Sequence, residues 1–101
     1  MEEVYEGKIK LPMGKKDFKL TINRNGDGTF DGDFTVLGST APVTNGRIDD
    51  EGNFSAACTI TTILGTMEGE TEGRVYDGLI DGVAKARIGV LPMKSKELWK
   101  K

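Results

Sequence analysis

Asn25-Gly26-Asp27-Gly28-Thr29-Phe30-Asp31-Gly32 reads as a tight turn that opens into a strand. Asn-Gly and Asp-Gly are strong hairpin signals, because both central positions of a type I′ turn need positive φ. Beyond the turn, Phe30, Gly32, Phe34 and Val36 fall on one face, and Asp31, Asp33 and Thr35 on the other. The pattern of large apolar, polar and then small residue recurs through the chain. Tyr5-Glu6-Gly7, Phe30-Asp31-Gly32, Phe54-Ser55-Ala56 and Ile80-Asp81-Gly82 stand about 25 residues apart. The last three units each follow a turn, Asp27-Gly28, Glu51-Gly52 and Asp77-Gly78.

Each repeat spans two strands. The alternation predicts them over residues 4–11, 16–24, 29–37, 41–48, 53–63 and 66–76. A seventh follows Asp77-Gly78, with Ile80, Gly82, Ala84, Ala86 and Ile88 inward. The tail, 94–101, reads as the eighth strand, with a short helix around Ser95–Trp99 as its alternative. The fourth strand alternates least, and Pro42 in it predicts a bulge or a late start. No stretch longer than the tail has helical periodicity. The expected fold is therefore all-β, an eight-stranded antiparallel up-and-down barrel built from four β-hairpin repeats. A two-sheet β-sandwich made of the same hairpins is the alternative.

Composition agrees with this. The chain has 101 residues, enough for one domain over 1–101, and its 14 glycines come with alternating apolar residues rather than a disorder-type bias. Cys58 stands alone, so no internal disulfide forms. The acidic N-terminus has no apolar h-region, and the apolar runs fall far short of a membrane span, so a cytoplasmic location is the expectation. A net charge of −2 gives no global attraction to nucleic acid or to an anionic membrane. That charge is unevenly spread. Twelve of the 14 Lys and Arg fall in 1–24 and 85–101, and eleven of the 16 acids in 25–84. Barrel closure would set a basic seam opposite an acidic wall. Such a seam could receive an anionic partner, or simply protect terminal strands against added strands.

Most site chemistry is excluded by what the chain lacks. Without histidine there is no Ser-His-Asp triad, no Cys-His pair and no common zinc site. Asn23–Gly28 resembles the start of a calcium loop, but Phe34 stands where the bidentate Glu is required. The glycines around Asp27 miss the dinucleotide fingerprint and open a strand rather than a helix. Glu68, Glu70 and Glu72 share an outer face with Arg74 and read as a solvated surface. No catalytic residue, cofactor or metal site is predicted.

What remains is a binding reading. Gly7, Gly32, Ala56 and Gly82 would form a layer of small inward residues, marking either a hollow or sharp bends in the strands. The hollow would be lined by Phe18, Leu20, Phe34, Ile60 and Met67, with Thr71 as its polar member. The connectors Leu11-Pro12-Met13 and Val90-Leu91-Pro92-Met93 are unusually apolar and would gather at one rim, so Leu11, Met13, Leu91 and Met93 join the expected ligand contacts. The same rim could instead plug the barrel, or serve as a homo-oligomer or partner contact.

The eight alternating strands and the repeated Tyr5-Glu6-Gly7 and Phe30-Asp31-Gly32 units resemble the lipocalin-like, or calycin-like, small barrels. The chain is shorter than typical members and lacks their Gly-x-Trp signature and flanking helix. The resemblance implies a barrel holding a small apolar ligand. A few such barrels act as isomerases or cyclases by cavity shape, which is the third reading here.

Overall fold

The structure is a computed structural model and describes residues 2–99. Nine antiparallel strands form one sheet: β1 (Glu2–Leu11), β2 (Gly14–Arg24), β3 (Thr29–Asp31), β4 (Asp33–Val36), β5 (Ser39–Ile48), β6 (Asn53–Thr62), β7 (Gly65–Tyr76), β8 (Leu79–Ala86) and β9 (Gly89–Lys94). One helical turn, α1 (Lys96–Trp99), ends the described chain. β3 and β4 are halves of one strand with a common register against β2, so the ring has eight members. Each pairs with its neighbour in sequence, and β9 returns to β1. The separate sheets of a sandwich are not formed.

The repeat residues stack inside as the alternation predicts. Tyr5, Phe30, Phe54 and Ile80 are all buried, together with Ile9, Leu20, Ile22, Val36 and Val75. The small residues beside them mark bends rather than a hollow. A Cβ on Gly32 would collide with the Thr21 carbonyl oxygen of β2, and one on Gly7 with the Lys94 carbonyl of β9. Gly73 and Gly82 face each other across β7 and β8, each without room for a side chain. At Gly32 the strand is interrupted. The Asp33 N–H donates to Thr21 Oγ1 at 2.8 Å, and the Gly32 carbonyl accepts from Val43 N–H.

Three expectations change. The bulge in β5 lies between Thr44 and Arg47, where Asn45 has φ +55°, and not at Pro42. β5 starts early, at Ser39, and Pro42 sits within it. β8 ends at Ala86, leaving Ile88 exposed in a turn. The last strand is not the tail but Gly89–Lys94, so Val90-Leu91-Pro92-Met93 is a strand rather than a connector. Leu91 and Met93 are core residues, and Met93 has no exposed surface. The tail is the helical alternative as far as Trp99, and residues 100–101 of the predicted strand lie outside the described residues.

Prolines stand at two of the three places where the ring opens. Val43 N–H points to the β3–β4 strand, so by strand alternation the Pro42 nitrogen faces β6. The β5–β6 ladder stops one residue earlier, at Val43 and Cys58. Ser95 N–H points to Ile80 on β8, so Pro92, three residues back, faces β1 with no N–H to give. The β1–β9 ladder accordingly contains only Lys8–Lys94 and Ile9–Met93. β7 and β8 part beyond Gly69–Ala86. At this end the sheet therefore separates into hairpins, and the β6–β7 tip, from Thr59 to Glu68, is paired only with itself.

Candidate functional site

The separated end encloses a cavity of about 60 Å³. A single water needs roughly 10–15 Å³ on a comparable measure, so the space exceeds one water but is far smaller than a drug-sized pocket. Its wall is apolar: Ile9, Leu11, Phe34, Ile60, Met67 and Leu91 contribute most of its character. Outside it lies an open concavity of about 630 Å³ between the tip of β6–β7 and the turns β1–β2 and β8–β9. Leu11, Met67, Glu68 and Ala86 line both, so the two spaces are adjacent and share a wall.

The predicted contacts divide between three places. Leu11, Phe34, Ile60, Met67, Thr71, Leu91 and Met93 line the cavity. Phe18 and Leu20 are buried in the core without reaching it, Phe18 with its ring centroid 5.9 Å from that of Phe34. Met13 is half exposed and lines the outer concavity. The alternation also turned Cys58, Ala84 and Ala86 inward, and they complete the wall with small side chains, although they were not among the predicted contacts.

Polar groups at the wall are few and satisfied. Thr71 Oγ1 donates to the Val83 carbonyl at 3.1 Å and lies 3.5 Å from Met93 Sδ. Cys58 is half-buried, and burial, with a smaller contribution from Asp33, pushes its thiol pKa up. The thiol form therefore prevails near neutrality, and Cys58 behaves as a small apolar wall residue. Among the described residues no buried side-chain nitrogen or oxygen lacks a partner, and no cluster has the make-up of a metal site.

The other end is closed and polar. Tyr5 O–H donates to Glu3 Oε1 at 2.6 Å, and Arg24 bridges to both Glu3 oxygens at 2.7 and 3.1 Å. Arg24 holds the Glu3 carboxyl below its usual pKa, against the opposing effect of burial. Burial, reinforced by the bond to Glu3, raises Tyr5 to about 12. A raised acid pKa means that the folded state keeps its proton where the unfolded chain, near 10, loses it. The stabilisation is full below pH 10 and is lost as pH rises toward 12. The urea midpoint of the wild type is expected to fall more steeply over this window than that of Tyr5→Phe. Equal slopes would remove Tyr5 as the cause.

Comparison with family models, with curated proteins and with solved structures found no match to this chain. The class rests on the molecule itself: an all-β, barrel-like ring of eight antiparallel strands.

Proposed function

We propose that the protein is a small lipocalin-like barrel that binds an apolar small molecule, without catalysis. The observation that carries this is the apolar cavity between Ile9, Ile60, Met67 and Leu91, with an outer concavity directly beside it. The volume suits the end of a hydrocarbon chain rather than a whole large ligand. The remainder of such a molecule would lie in the outer concavity, against Pro12, Met13, Leu64 and Ile88. A shape-based isomerase is less well supported. At the cavity wall the side-chain polar groups that are not exposed are the Thr71 hydroxyl, which is already bonded, and the Cys58 thiol.

Titration with 1-octanol, followed by methyl NMR, tests the reading. Saturable shifts are expected at Ile9, Leu11, Ile60 and Leu91, and none at Ile22 or Ile80, which pack away from the cavity. Ala84→Leu should weaken octanol about tenfold or more by occupying the ligand's space. Non-saturating shifts, or equal shifts at Ile22 and Ile80, would reject a defined site.

A further inference from the structure

The exposed large apolar side chains are concentrated at one end of the molecule. Of Val4, Met13, Ile63, Leu64, Ile88 and Val90, all but Val4 belong to the turns around the open end or to the strand residue beside one. Ile63 is 88 % exposed and Val90 61 %. Met13, Leu64 and Ile88 line a single concavity, so three turns contribute to one patch. Solvent alone does not account for such side chains at turn tips, which are ordinarily polar.

Charge follows the same axis. Lys10 and Lys15 are directly paired across β1 and β2 near this end, Lys16 stands next to them, and Arg87 lines the concavity. Glu68 is the one acid lining it. The opposite end carries Asp27, Asp49, Asp50, Glu51 and Asp77 in its turns. The net charge of −2 thus averages over a molecule with a basic, apolar end and an acidic one.

We infer that the open end docks on an anionic lipid surface. Ile63, Leu64 and Ile88 would enter the headgroup boundary, with Lys10, Lys16 and Arg87 against the lipid phosphates. Apolar insertion and electrostatic attraction to anionic lipid together give the affinity, and each alone is weak. The acidic end is repelled and faces water, which fixes the orientation. A second copy of the chain is a poorer occupant. A two-fold contact through this patch would bring the basic groups of both copies, Lys10, Lys16 and Arg87, into one interface. The surface shares Leu64 and Ile88 with the outer concavity, but it does not require the inner cavity to be occupied.

Sedimentation with vesicles of phosphatidylcholine, with and without about one-third phosphatidylglycerol, tests the inference, because basic residues near a surface respond to its anionic lipid. The wild type is expected to bind the anionic vesicles and to be released by high salt. Ile63→Asp with Leu64→Asp, and separately Lys16→Glu with Arg87→Glu, should each reduce the bound fraction about tenfold at limiting lipid. These positions are exposed, and circular dichroism checks that the variants are folded. Ala84→Leu should bind vesicles like the wild type even if it loses octanol, so this surface and the cavity can fail separately. Equal binding to neutral vesicles, or none to either, overturns the inference. So does a concentration-dependent dimer that is abolished by the Ile63 and Leu64 substitutions and does not bind vesicles.

Discussion

Gly32→Ala is expected to destabilise the protein by about 3 kcal/mol or more, at the upper end of what overpacking produces. The added methyl would overlap the Thr21 carbonyl oxygen, and backbone of a neighbouring strand cannot rotate away as a side chain can. Relief would require β2 and the β3–β4 strand to separate. That movement would strain the Thr21 bond to Asp33 and the Val43 bond to Gly32. Gly38 provides the contrast. It has φ +77° with open space around it, so Gly38→Ala meets only the left-handed penalty of about 1–2 kcal/mol. Urea denaturation of the two variants checks the difference. Equal losses would show that strand spacing at Gly32 is looser than the structure has it.

Trp99→Ala should lower stability by about 2–4 kcal/mol, as expected when a large aromatic contact and its hydrogen bonds are removed together. The indole N–H is shared between the carbonyls of Lys8 at 3.0 Å and Lys94 at 3.1 Å. These two residues form half of the short ladder that closes the ring. The indole face also carries the Lys15 ammonium, 4.2 Å from the ring centroid, so β1, β2 and β9 meet at one side chain. Hydrogen exchange should locate the damage. Amides of Lys8 and Lys94, which face each other across the ladder, are expected to exchange faster, while those of β6 and β7 change only with global stability. Trp99→Phe should recover part of the loss, since it keeps ring area and loses the N–H. Uniform acceleration along the chain would mean that the helical turn does not hold the seam.

The strands were legible wherever a sheet face is unambiguous. β1, β2 and β6 alternate cleanly, and the Asp-Gly and Glu-Gly turns bound them. The break at Gly32 was not legible, because Phe30, Gly32 and Phe34 continue the alternation through it. Its cause is the Thr21 side chain on another strand. The last strand was misplaced for a different reason. Leu-Pro-Met looks like a connector when proline is taken to end pairing, whereas Pro92 turns its nitrogen toward the side where pairing has already stopped. The helix at Lys96–Trp99 is too short for periodicity to reveal.

The site was legible in part, and for related reasons. Inward alternation brought Phe34, Ile60, Met67 and Thr71 to the wall, but it could not separate Phe18 and Leu20, which face inward at well-packed positions. The location of the cavity depends on where ladders end rather than on which residues face inward. It lies where the β5–β6, β7–β8 and β9–β1 ladders end and not at the layer of Gly7, Gly32 and Gly82, where the strands approach too closely to leave space.

The two-residue ladder between β1 and β9 also bears on how the chain assembles. Every other pairing in the ring joins strands adjacent in sequence, so those contacts form at short loop-closure entropy. Joining β1 to β9 brings distant parts of the chain together and carries the longest sequence separations of any strand pairing in the ring. Ring closure is then the expected slow event of folding, with the hairpins waiting on a junction of two residue pairs and one indole.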